Sequence, residues 1–203
     1  MTYFSYLIHI LRLNEVIQMS KRTDKRIRLV EAADKLFYEQ GVNVTTLANI
    51  AALAEVPLGN VYYYFKSKES IVLAVIERRR QAIQAQFASW ETLNNKGRLK
   101  SFIEHNATQD AEVVSFGDWL GSLCQELCKH SGEIATAAAG LLKDVLHWCE
   151  AQFKEMGKGE KSQALALSLL SGLQGTSLLT LTFKDPLVVK QQSGYLMSWL
   201  ETV

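Results

Sequence analysis

Apolar residues recur every three to four positions along most of the chain, and a small set of turn formers interrupts them. Over residues 23–40 the apolar face is Ile27, Val30, Ala33 and Phe37. Thr23 or Asp24 opens this predicted helix and Gly41 ends it. Thr45 or Thr46 caps a short second helix carrying Leu47, Ile50, Ala51 and Ala54. Val56-Pro57-Leu58-Gly59 reads as a tight connection, and Asn60 to Phe65 as a third short helix. Ser67 caps a long fourth helix reaching about Trp90. Glu69 sits in its first turn, where the helix dipole favours an anion.

Beyond the Asn94-Asn95-Lys96-Gly97 break, helices are expected at roughly 98–111, 117–130, 132–156 and 160–184, with a last one after Asp185-Pro186. The count is about nine helices and no strand, so the fold class is all-α. In 132–156, Ile134, Ala138, Leu141 and Val145 form one stripe, and Ala135, Ala139, Leu142, Leu146, Cys149 and Phe153 form a second beside it. A face that wide predicts packing on two partners at once.

The stretch 162–183 holds no charge, yet carries four Ser, three Thr, two Gln and two Gly. A lipid-facing helix would carry these at considerable cost, so no membrane partner is expected. Ser168, Gly172 and Gly175 instead share a small-residue face suited to close approach of another helix in a dimer interface.

Composition supports a packed helical protein: 203 residues, 48% hydrophobic, and only two prolines, Pro57 and Pro186. Net charge is only +1, but it is unevenly spread. Residues 20–80 hold 11 Lys/Arg against 7 Asp/Glu, and residues 81–203 hold 10 against 13. A basic N-terminal third suits a nucleic-acid-binding module.

Cys124, Cys128 and Cys149 form no zinc-type spacing or disulfide framework, and free thiols fit a cytoplasmic location. No Ser-His-Asp grouping, metal-ligand cluster, P-loop or GxGxxG is present, so no catalytic residues, metal or cofactor are expected. Residues 1–19 are apolar at helical spacing (Phe4, Leu7, Ile8, Leu11) but lack the basic start and cleavage site of a signal peptide. They are expected to pack as an extra helix of unknown role, and Met19 is a plausible alternative start.

The chemistry concentrates in residues 45–70. Two short helices joined by a tight turn have the geometry that enters a major groove. Apolar Ile50, Ala51, Val56 and Val61 would fix their angle, leaving Leu58, Gly59, Asn60, Tyr62 and Tyr63 on the outer side. A tyrosine there can reach sugar and phosphate, and an asparagine can read adenine bidentately. Lys68, beside the free N–H groups of the fourth helix, suits a phosphate.

The run from Thr46 through Ala51 and Val56 to Val61-Tyr62-Tyr63-Tyr64-Phe65-Lys66-Ser67-Lys68-Glu69 closely resembles the DNA-binding domain of the TetR family of bacterial regulators, over about residues 23–75. The resemblance implies an N-terminal three-helix helix-turn-helix domain (20–68) and a C-terminal helical domain (69–203) for ligand binding and dimerisation. By position it puts Leu58, Gly59 and Asn60 at base edges, and Thr46, Tyr62, Tyr63 and Lys68 at phosphates. It also implies a homodimeric repressor of palindromic double-stranded operator DNA, released by a small-molecule inducer. Candidate pocket residues are Phe87, Trp90, Phe102, Asn106, Phe116, Trp119, Leu123, Leu142 and Trp148.

Glu55 stands where the family usually has a turn glycine, often in a left-handed conformation. The second half resembles the family less. Leu120 to Leu127 looks like a sub-group that often carries Gly-Cys just ahead, where this chain has Asp118-Trp119. Cys124 and Cys128 lie one turn apart and reach each other only after local distortion; they read as two small buried apolar residues, or alternatively as a redox or electrophile sensor. The competing function is an architectural or division-linked DNA-binding dimer of the same fold with no inducer; a filled core would favour it, and an enclosed cavity the repressor.

Overall fold

A computed structural model describes residues 24–108 and 110–203. The extension at 1–19 and the Thr23 cap lie outside the described residues. Helix α1 covers residues 24–40. It is followed by α2 (Leu47–Leu53), α3 (Leu58–Tyr64), α4 (Lys68–Ser89), α5 (Asn95–Ala107), α6 (Asp110–Phe116), α7 (Trp119–Leu127), α8 (Glu133–Glu155), a 3-10 turn, α9 (Ser162–Phe183) and α10 (Leu187–Thr202). Among the described residues there is no strand.

The expected caps are present. Thr46 Oγ1 accepts from the Asn49 N–H at 3.1 Å while Asn49 Oδ1 accepts from the Thr46 N–H at 2.9 Å, so both ends of a capping box are closed. Ser67 caps α4 in the same reciprocal way with Ser70. Two boundaries differ from expectation. α3 starts at Leu58 rather than Asn60, because Pro57, fixed at φ −54°, serves as its N-cap and the Asn60 N–H reaches the Pro57 carbonyl at 2.8 Å. The Asn94–Gly97 break is a helix start: Asn94 Oδ1 accepts from the Gly97 N–H at 2.8 Å, so α5 begins at Asn95. The single helix expected over 98–111 is therefore α5 followed by the short α6.

Glu55 has φ +53° in the α2–α3 turn, the left-handed conformation expected of that position. A side chain there costs about 1–2 kcal/mol, partly offset by the backbone freedom a glycine would lose on folding. Glu55→Gly is expected to raise the midpoint of thermal unfolding by about 2–3 °C. Glu55→Ala, which keeps a Cβ at the same φ, should give no rise.

Helix α8 packs against α4, α5, α7 and α9, which accounts for its double stripe. Helix α4 runs along one continuous core. Ile71, Val72, Val75 and Ile76 are buried in its first half, and Ile83 and Phe87 are half-buried in its second. Helix α9 is long and apolar enough to cross a bilayer by length and composition alone. It buries Ala166, Leu169, Leu173 and Thr180 and leaves Leu167, Ser171, Leu178 and Thr182 exposed along the other side.

The two glycines of α9 part company. A Cβ on Gly172 would sit 3.2 Å from Leu196 of α10, so this glycine serves packing within the chain. A Cβ on Gly175 would meet nothing within 4 Å.

Candidate functional site

Helices α2 and α3 stand on a dry base. Ile50 and Val61 are fully buried, with Ala51, Ala54, Val56 and Phe65 nearly so, against Leu29, Ala33 and Phe37 of α1 and Val72 of α4. Each large side chain buried this way contributes roughly 1.5–3 kcal/mol, enough to hold α3 at one angle. The opposite face of α3 is open: Leu58 is 45% exposed, Tyr62 52% and Tyr63 56%, with Gly59 and Asn60 exposed beside them. Large apolar and aromatic groups left in solvent on a rigid base mark a contact surface. Tyr64, by contrast, is half-buried, its ring edge-on to Tyr63 at 5.1 Å between centroids.

Lys68 lies at the rim of this surface, in the first turn of α4. Its ammonium donates to the Asn43 carbonyl at 3.2 Å, which leaves two of its three N–H groups for another acceptor. Thr46 is exposed, but its hydroxyl donates to Asn49 Oδ1 at 2.6 Å as part of the cap. The Glu69 carboxyl is held below the usual carboxylate range, chiefly by the Ser67 hydroxyl and then by its own backbone N–H.

A cavity of about 930 Å³ opens between α1 and α4 and runs into the helical body. Six aromatic side chains, Tyr38, Phe87, Trp90, Phe102, Phe116 and Trp119, share its lining with charged and polar ones such as Glu31, Asp34, Glu112 and Asp118. At its edge Arg79 lies over the Trp119 indole, 4.3 Å from the ring centroid, and its Nε donates to Asp34 Oδ1 at 2.6 Å. That side chain therefore joins α1, α4 and α7. Tyr38 donates its hydroxyl to the Gly117 carbonyl at 2.8 Å. Burial, with Glu112 and Asp118 nearby, pushes its pKa up to about 12, so it stays a neutral donor.

Burial likewise holds His105 below the usual histidine range, favouring the uncharged ring. Asp118 Oδ2 accepts from the Gly121 N–H at 2.7 Å and from Gln174 Nε2 at 2.9 Å. Asn106 donates its amide to the Phe102 carbonyl at 2.8 Å, which leaves its side-chain oxygen as an acceptor at the cavity wall.

Residues 29–75 match the family model described as bacterial regulatory proteins, tetR family. The chain is 43% identical over 54 residues to the HTH-type transcriptional regulator TtgR of Pseudomonas putida, covering 27% of this chain and 26% of that protein. It is 36% identical over 126 residues to the HTH-type transcriptional repressor NemR of Escherichia coli, covering 59% of this chain and 63% of that one. The fold matches the Bacillus subtilis transcriptional regulator FadR, solved with stearoyl-CoA, at a TM-score of 0.67 and 20% identity, over 86% of this chain and 96% of that one.

The match to the tetR family lies in residues 29–75, and the fold of the chain is shared with solved TetR-family regulators. The alignments span only about a quarter of TtgR and under two thirds of NemR. The TetR match falls on the segment whose exposed helix face was described above.

Of the nine pocket candidates, Phe87, Trp90, Phe102, Asn106, Phe116 and Trp119 come together around the cavity. Leu123, one turn beyond Trp119 on α7, is buried in the core, and Leu142 is half-buried against it. Trp148 stacks on Phe87 with centroids 4.0 Å apart and planes 8° from parallel, so it backs the wall without lining it. Tyr38, Arg79, Asp118 and Gln174 also line the cavity, and no spacing signal pointed to them, since they converge from four distant segments.

All three cysteines are free. Cys124 and Cys149 are buried and Cys128 is exposed. Burial above all pushes the Cys124 and Cys149 thiols up to about 12, which leaves them protonated and poorly nucleophilic at neutral pH.

Proposed function

We propose that the protein is a transcriptional repressor of the cytoplasm: a homodimer whose α3 helices enter successive major grooves of a palindromic operator and leave it when a small molecule fills the cavity. Residues 20–68 form the DNA-binding unit in this reading, and 69–203 the dimerisation and ligand-binding unit. The single observation that carries it is the open face of α3, where Leu58, Gly59, Asn60, Tyr62 and Tyr63 are exposed. In this reading Leu58, Gly59 and Asn60 meet base edges, and Tyr62 and Tyr63, with Thr46 ahead of α2 and Lys68 of α4, meet phosphates.

The relatives named above as regulator and repressor support the reading. Release by a ligand is supported by the cavity, open on the α1–α4 side and lined by both aromatic and charged groups, whose size lies within the range of small-molecule sites. The neighbouring FadR structure holds stearoyl-CoA within a related fold. A filled helical body would have favoured an architectural DNA-binding protein instead. Dimerisation is supported by the α9 stripe of Leu167, Ser171, Leu178 and Thr182, apolar or small and exposed in the single chain, with half-buried Gly175 among them, whose Cβ position is clear of other atoms.

The test is in vitro selection from random duplexes with the purified chain, followed by footprinting of its own upstream region. A palindrome with half-sites about one helical turn apart is expected, bound with an affinity that falls steeply with salt. Recovery of no preferred duplex would sink the reading.

A further inference from the structure

Helix α7 starts in the cavity and ends on the DNA-binding unit. At its first turn Trp119 and Leu120 line the cavity, and the Asp118 cap is fixed through Gln174 to α9. Two turns further on, Glu126 reaches the loop between α1 and α2. One carboxylate oxygen accepts from the Val42 N–H at 2.8 Å and the other from the Asn43 N–H at 2.6 Å. Both are charge-assisted and together fix the carboxylate in two directions.

The loop is shaped around that carboxylate. Gly41 has φ +90°, and a Cβ there would sit 3.1 Å from Glu126 Oε2. Thr45, fully buried, donates its hydroxyl to the Gly41 carbonyl at 2.7 Å, and Thr46 caps α2 directly afterwards. At the cavity end of the same arm, Tyr38 of α1 bonds the Gly117 carbonyl and its ring meets Phe116 edge-on at 5.4 Å. The DNA-binding unit is thus attached at Gly117, just ahead of α7, and at Glu126 near its C-terminal end, with about 10 Å of helix from Trp119 to Glu126.

We propose that Glu126 is the positioning residue that couples the cavity to the helix-turn-helix, with α7 as a rigid arm acting beside α4. A ligand that displaces Trp119 or Asp118 tilts α7, and the two Glu126 hydrogen bonds carry the tilt into the loop and hence into α2 and α3. The inference rests on the proposed function and specifies its regulation.

A double-mutant cycle on the full chain tests it, read as affinity for the selected duplex by fluorescence anisotropy. Asp118→Ala and Glu126→Gln are each expected to weaken binding about tenfold. The double variant should also lose about tenfold, because both changes cut one arm. Sites this far apart are additive when independent, so a hundredfold loss in the double variant would overturn the proposal, as would unchanged affinity in both single variants. Asp118→Ser, which keeps a capping oxygen but gives up Gln174, takes the place of the alanine variant if that one does not fold.

Amide hydrogen exchange gives a readout without DNA. Loss of the Asp118 cap should speed exchange at Val42 and Asn43 at least fivefold while Ile76 stays unchanged; unaltered exchange at both loop amides also overturns the proposal. A wild-type chain that selects no duplex would defeat the DNA-binding reading, and the exchange experiment would still decide the arm.

Discussion

A Leu178→Lys substitution is expected to make the protein monomeric at micromolar concentration and to lower operator affinity at least about a hundredfold. Leu178 is 53% exposed near the middle of the open α9 stripe, three residues beyond Gly175, whose Cβ position is clear of any atom. Across a two-fold axis the same residue comes from both protomers. A lysine there would place two like charges in an interface without partners, and burying unpaired charge costs several kcal/mol. A monomer keeps the contacts of one half-site and forfeits the effective concentration that makes the second favourable, a factor of roughly 10²–10⁴. Light scattering and anisotropy measure the two effects, with circular dichroism to show retained helix. A variant that stays dimeric at micromolar concentration would remove α9 from the interface.

Local signals in the sequence proved reliable where the physics is local. The Thr46 and Ser67 caps, the Gly41 stop and the left-handed Glu55 all depend on a few consecutive residues, and all are found as expected. Boundaries slipped where a residue has two uses. Asn94 signals a turn as well as an N-cap, and Pro57 closes one connection while starting the next helix.

Gly172 shows a harder limit. Sequence grouped it with Gly175 on a face for a second chain, whereas the chain's own α10 occupies that side and brings Leu196 against it. Helical spacing reveals which residues share a face but not which neighbour covers it. The cavity was half legible for the same reason. Its aromatic residues stand out by type, while Tyr38, Arg79, Asp118 and Gln174 acquire their place only when α1, α4, α7 and α9 converge. Glu126 gave no signal at all, because the two amides it holds lie 83 and 84 residues away.

Two substitutions at the open face of the helix-turn-helix should separate affinity from specificity. Lys68 carries a full charge in the first turn of α4, where the helix dipole favours an anion. One of its N–H groups is committed to the Asn43 carbonyl, which steadies the side chain without consuming its charge. Lys68→Ala is therefore expected to weaken binding about tenfold to every duplex, and to reduce the slope of log affinity against log salt by about one, the signature of one lost phosphate contact.

Asn60 is exposed in the first turn of α3, where a recognition helix offers its side chains to base edges. Its amide can both donate to and accept from adenine, and losing such a pair costs about 1–3 kcal/mol of discrimination. Asn60→Ala should thus leave the salt slope unchanged and flatten base preference at one position per half-site, with roughly a five- to hundredfold loss on the preferred sequence alone. Anisotropy titrations over a salt series, on the selected palindrome and on single-base variants of it, read both quantities at once. An equal loss on every sequence for Asn60→Ala, or an unchanged salt slope for Lys68→Ala, would mean that α3 lies on the duplex in a different register from the one its exposed face suggests.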